Sequence, residues 1–82
     1  STDDNILNDA ISMYPNPASD SFQINKETTD VVVYDIRGKV VAEFRGSFQE
    51  NNTFTINHLN KGIYIVRAKG LQGTIVKKLI KE

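Results

Sequence analysis

His58 is the only histidine in the chain, so a side-chain acid–base step tuned near neutral pH would most naturally pass through it. It stands in the polar stretch Asn57-His58-Leu59 and reads as a solvated loop residue. No G-x-S-x-G or comparable local context supports a Ser-His-Asp arrangement. Asp3, Asp4, Asn5 and Asp9 carry oxygens that suit Ca²⁺, but their spacing is not that of an EF-hand and the bidentate Glu is missing. They read as a solvated linker. The chain has no Cys, which removes disulfides, Cys-based zinc sites and thiol nucleophiles together. The Asn51-Asn52-Thr53 sequon matters only in a eukaryotic secretory pathway. Nothing in these residues calls for a cofactor or a metal, and the expectation is a protein that is not an enzyme.

Charge and hydropathy exclude further classes. Ten Lys and Arg balance ten Asp and Glu over 82 residues, which argues against binding nucleic acid or an anionic membrane through bulk charge. The zero is a cancellation: residues 1–35 hold seven acids and one base, residues 36–82 nine bases and three acids. No apolar run exceeds four residues, far short of the roughly 20 that span a bilayer as a helix. The start, Ser1-Thr2-Asp3-Asp4-Asn5, has neither the basic nor the apolar region of a signal peptide and lacks Met, which predicts a piece of a larger protein.

The elements that would position any site are strands. Residues 1–9 have no sustained period and are expected to be a lead-in, with the folded domain over residues 10–82. From Ile11 onward, seven short apolar-rich runs alternate with Gly, Pro, Asn and Asp at intervals of about ten residues. The runs are Ile11–Tyr14, 21–25, 31–36, 40–45, 53–57, 63–69 and 74–80. Ser21-Phe22-Gln23-Ile24-Asn25 alternates strictly, so Phe22 and Ile24 share one face. Val31-Val32-Val33-Tyr34-Asp35-Ile36 is apolar on both faces and predicts a central strand. Val40, Ala42 and Phe44 are expected to point one way, with Val41, Glu43 and Arg45 the other. Turns this short suit antiparallel pairing, so the expected fold is all-β, an immunoglobulin-like antiparallel β-sandwich of about seven strands. An OB-like or SH3-like barrel would force five strands to absorb seven runs.

Several punctuating residues are candidates for more than folding. Pro15-Asn16-Pro17 ends the first run, because neither proline can donate to a ladder. Asp35 and Gly38 supply the side-chain acceptor and positive φ of a tight hairpin closed through a bulge. Lys39 beside them has no such backbone duty. Gly62 and Tyr64 read first as bend and core, with the Tyr hydroxyl needing one partner if buried. Lys77, Lys78 and Lys81 on the last run either blunt an edge strand or mark an edge that a partner grips by β-augmentation.

Four stretches taken in order carry a resemblance. They are Ile11-Ser12-Met13-Tyr14-Pro15-Asn16-Pro17-Ala18-Ser19-Asp20, Val33-Tyr34-Asp35-Ile36-Arg37-Gly38-Lys39-Val40-Val41, Leu59-Asn60-Lys61-Gly62-Ile63-Tyr64-Ile65-Val66 and Lys77-Lys78-Leu79-Ile80-Lys81-Glu82. Together they resemble the type A C-terminal sorting domain of proteins exported by the type IX, or Por, secretion system of Bacteroidota. The resemblance implies a folded label, covalently part of a cargo protein, that takes the cargo from the periplasm across the outer membrane. It implies as partners the secretion machinery, an outer-membrane shuttle protein and a sortase-like protease that removes the label. The other reading is an accessory immunoglobulin-like spacer or carbohydrate-binding module, for which Phe48 is the one aromatic placed in a loop. If the last strand is gripped by the machinery, deleting residues 78–82 should harm export more than folding.

Overall fold

Alternation does in β2 (Ser21–Ile24) what a period of two requires: Phe22 and Ile24 are buried, Ser21 and Gln23 are not. The computed structural model describes residues 11–70 and 73–82, so the lead-in, its Asp3, Asp4, Asn5 and Asp9, and the tip of the last turn lie outside the described residues. The described chain is all β. Besides β2 it forms β1 (Met13–Tyr14), β3 (Thr28–Tyr34), β4 (Val40–Phe44), β5 (Thr53–Thr55), β6 (Gly62–Gly70) and β7 (Gly73–Lys81).

The strands make two antiparallel sheets, ordered β1-β2-β5 and β4-β3-β6-β7. One core lies between them: Phe22, Ile24 and Phe54 from the first sheet meet Val31, Val33, Val66 and Leu79 from the second. This is the seven-stranded sandwich expected from the sequence. Its fourth strand stays beside the third, where a constant-type immunoglobulin domain moves it to the other sheet.

Three local expectations change. Only Met13 and Tyr14 of the first run are strand, because the side chain of Asn25 takes over the ladder: Ser12 N–H donates to its Oδ1 at 2.7 Å. The central strand starts at Thr28 and stops at Tyr34, leaving Ile36 in the turn and 77% exposed. Between Val33 and Tyr34 the register with β4 slips, Val33 facing Ala42 and Tyr34 facing Val40. The extra residue, Val41, therefore packs on the core with Ala42 and Phe44, and Val40 turns outward. This bulge on β4 is additional to the expected one at Gly38, where Gly38 N–H donates to the Asp35 carbonyl at 3.0 Å and Asp35 N–H donates to the Lys39 carbonyl at 2.9 Å, so that Gly38 and Lys39 together oppose Asp35.

Phe48 is also not a free loop aromatic. Its ring stands edge-on to Phe54 at 5.1 Å, and its backbone exchanges hydrogen bonds with Thr28 of 3.1 and 2.8 Å.

Candidate recognition surface

The Pro15-Asn16-Pro17 bend, with both X–Pro bonds cis, does more than end β1. It lies along the outer edge of β7. Asn16 Nδ2 donates to the Lys78 carbonyl at 2.8 Å, and Ile80 N–H donates to Asn16 Oδ1 at 3.0 Å. Ala18 continues the same line: its N–H donates to the Ile80 carbonyl at 2.7 Å and its carbonyl accepts the Glu82 N–H at 2.8 Å. A primary amide carries both a donor and an acceptor, so the Asn16 side chain replaces the peptide group that prolines cannot supply.

The far end of β7 is therefore not the open edge that the sequence suggests. Because Lys78, Ile80 and Glu82 turn their peptide groups outward, so do Val76 and Thr74, two and four residues before Lys78. No strand lies beyond β7 in its sheet, and among the described residues the open length is Thr74 to Lys78 N–H. Replacing Asn16 with Ala leaves the Lys78 carbonyl and Ile80 N–H without their protein partners. The expected loss is about 1–2 kcal/mol, read as a fall in melting temperature of roughly 5–15 °C.

The terminal lysines do not form one patch. Along β7, Ile75, Lys77, Leu79 and Lys81 lie on the core side, with Val76, Lys78 and Ile80 on the other. Lys78 is exposed, Lys77 is half-buried at the rim, and Lys81 is 8% exposed with its Nζ donating to the Glu82 carbonyl at 3.0 Å. Glu82 itself is exposed.

At the opposite edge of the sheet, the β3–β4 hairpin follows the expected turn chemistry. Asp35 Oδ1 accepts the N–H groups of Arg37 at 2.9 Å and Lys39 at 3.0 Å, and Gly38 takes φ +86°. A methyl at Gly38 would meet nothing within 4 Å, so the backbone angle alone demands glycine there. The N–H of Lys39, then that of Arg37 and its guanidinium, hold the Asp35 carboxyl below its ordinary 3.8, against partial desolvation. A carboxylate whose pKa is lowered by folding stabilises the fold above its unfolded pKa and loses that contribution as pH falls through the folded one. The stability difference between the parent and Asp35→Ala should thus close in urea melts taken from about pH 6 to about pH 2.

Gly62 and Tyr64 hold the other bend at this end. The Tyr64 ring is buried and its hydroxyl donates to the Asn60 carbonyl at 2.7 Å, four residues upstream, in the manner of a tyrosine corner. Gly62 lies opposite Lys81. The structure thus brings Pro15, Asn16, Pro17, Gly62, Tyr64 and residues 77–82 together around the end of β7. The Asp35–Lys39 hairpin stands apart from them, across the sheet.

Sequence reasoning passed over two features. Asn51, at φ 64°, accepts the Tyr14 hydroxyl on Oδ1 and donates its N–H to the Ile24 carbonyl at 2.7 Å, tying its loop to β1 and β2. An Asn pair after a polar loop is the signal for such a left-handed residue. The second feature is the outward apolar face of β6, announced by Ile63-Tyr64-Ile65-Val66 being apolar at every position.

A sequence profile described as "Secretion system C-terminal sorting domain" matches residues 12–82. The chain belongs to that family. No curated protein matches it. A sorting domain of the type IX secretion system is a signal for export to the cell surface or beyond it, and the family is not a catalytic one. The matched residues take in the features just placed: the bend against β7, the Asp35 hairpin, the Gly62–Tyr64 corner and the terminal strand. Within the described part of this sorting domain, His58 is an exposed residue, no cluster of His, Asp and Glu is arranged to hold a metal, and no helix is long and apolar enough to cross a membrane.

Proposed function

We infer that residues 10–82 act as a folded, removable address label, with residues 1–9 as the lead-in that joins it to a cargo. The cargo travels through the periplasm, the secretion machinery takes the label across the outer membrane, an outer-membrane shuttle protein receives it, and a sortase-like protease cuts within or before residues 1–9. The profile match over residues 12–82 carries this reading. Recognition at the last strand is supported by which candidate residues the fold leaves uncommitted. Of the candidate residues, Pro15, Asn16, Pro17, Gly62, Tyr64 and Lys81 are engaged in building the fold around the last strand, and their part in recognition is to present it, while Asp35 and Gly38 build the hairpin across the sheet. Lys78 and Lys39 are exposed, and Glu82, though its N–H is bonded, exposes its side chain. Among the described residues, the outward peptide groups of Thr74 and Val76 and the Lys78 N–H face an incoming strand, with Lys78 setting register and on-rate.

The experiment is a fusion of the chain behind a signal peptide and a reporter in a type IX-competent strain. Reporter is expected at the cell surface or in the medium, freed of the label. Folded, intact reporter retained in the periplasm would sink the proposal. The accessory carbohydrate-binding reading loses its motive with Phe48, whose ring is turned against Phe54.

A further inference from the structure

The face of the four-stranded sheet turned away from the core carries apolar side chains on every strand, gathered towards the Ile63–Ile65 end of β6, with Arg67 and Lys69 beyond them. Val40 on β4 lies opposite Tyr34 on β3, Tyr34 opposite Ile65 on β6, and Ile65 opposite Lys78 on β7. One row therefore crosses the whole sheet, a width of three strand spacings of about 4.8 Å. Beside it, Ile63 faces Ile80, and both are on the same side as Ile65. Val40, Ile63 and Val76 are 43%, 48% and 55% exposed. Single exposed apolar residues are ordinary on a soluble protein, but a contiguous set joined by register is a surface that something covers.

The charges on this face say what covers it. Arg67, opposite Val32 and Val76, Lys69, opposite Thr74, and Lys78 are exposed and make no ion pair among the described residues. The two carboxylates that accompany them, Glu43 and Asp30, are both held by Arg45, at 2.6 and 3.7 Å. A second copy presenting the same face would bring three uncommitted cations against one uncommitted side-chain carboxylate, that of Glu82 at the far end of β7, so like charges would outnumber opposite ones. Three cations on a flat sheet also amount to only a few kcal/mol at an anionic membrane, and a sheet face has no wedge to insert between acyl chains. The complement is a protein surface, apolar at its centre and rimmed by Asp or Glu.

We propose that the outer face of the β4-β3-β6-β7 sheet, centred on Tyr34, Ile63 and Ile65 and bounded by Arg67 and Lys78, is the docking surface for an acid-rimmed apolar patch on the receiving protein of the export route. The inference rests on the sorting function and adds the surface through which it is read. The open edge of β7 adjoins this face, so a partner seated on it can also reach the edge.

The test uses the reporter fusion in three altered forms: Ile63→Asp, the pair Arg67→Glu and Lys78→Glu, and, as control, Thr55→Asp on the exposed side of β5. Export is scored beside the melting temperature of each purified domain. The Ile63 variant and the charge-reversed pair are each expected to lose about thirtyfold in export, the size of one interface hot spot, with a retained cooperative melt, while the Thr55 variant exports like its parent. If Ile63→Asp fails to melt cooperatively, the charge-reversed pair, confined to exposed side chains, decides. Parental export by a folded charge-reversed variant overturns the docking surface and leaves the sorting function standing. So does sedimentation of the parent as a dimer that Ile63→Asp dissociates, or binding to phosphatidylglycerol vesicles that the charge reversal abolishes. Failure of the parent fusion to leave the periplasm overturns the sorting function, and this surface with it.

Discussion

Deleting residues 78–82 is expected to unfold the chain, not merely to silence it. The deletion removes Leu79, which is fully buried in the core, and the partners of Gly62, Ile63, Tyr64 and Ile65 on β6. It also strips Asn16 and Ala18 of all four hydrogen bonds that hold the Pro15-Asn16-Pro17 bend in place. Loss of one buried Leu costs about 2–5 kcal/mol, and each hydrogen bond roughly 1 kcal/mol more. A domain of this length has a reserve of only about 4–12 kcal/mol. Circular dichroism of the truncated chain should show no cooperative melt, and export should vanish with it. Loss of both would say nothing about recognition, which is why Lys78→Glu, at an exposed position, is the sharper probe. A truncated chain that still melts cooperatively would mean that the end of β7 is laid on the sandwich without closing it.

That outcome departs from what the terminal run suggests when read alone. Thr74-Ile75-Val76-Lys77-Lys78-Leu79-Ile80 shows a strand with lysines on it, and an edge lysine is ordinarily a guard against association. What lies along that edge is set by residues more than 60 positions earlier, through the Asn16 bonds to Lys78 and Ile80. Nothing local marks this, because Asn between two prolines already has a sufficient reason to be there as a turn residue. The strands themselves were legible wherever one face is buried, as in β2 and β5, where alternation alone places Phe22, Ile24 and Phe54. The Asp35–Gly38 hairpin was equally legible, since each residue type answers a backbone requirement within four positions. Alternation failed at Val41, because a bulge shifts the faces by one residue without needing a special residue to do so. It also failed to place Phe48, whose contact with Phe54 depends on how the β4–β5 loop folds back over the sheet. The outward apolar face of β6 was present in the sequence as a two-sided apolar run, but a run of that kind equally describes a strand with layers on both sides.

Phe54→Ala should be the most damaging single substitution in the molecule. Its ring is 1% exposed and stands at the centre of an aromatic cluster, stacked on Phe22 at 5.3 Å and met edge-on by Phe44 and Phe48, each at 5.1 Å. These rings come from β2, β4, β5 and the loop before β5, so one side chain joins the two sheets and the longest connection between them. Strand β5 has only three residues and pairs with β2 alone, so it has little backbone bonding to fall back on. Truncation costs about 3–5 kcal/mol for the lost burial and cavity, and the three ring contacts carry further geometry-specific attraction of about 0.5–1.5 kcal/mol each. The result approaches the whole stability of a chain this size. Urea unfolding should show a collapse of the midpoint, and Phe48→Ala, which removes a half-buried ring from the rim, should cost clearly less. Hydrogen exchange gives the decisive reading: the paired amides of Thr28 and Phe48 should lose protection in Phe54→Ala before those of the β6–β7 ladder do. If all amides lose protection together, the cluster is part of one indivisible core. If Thr28 and Phe48 keep theirs, the loop is held by its backbone bridge, and the aromatic cluster is not what seats it.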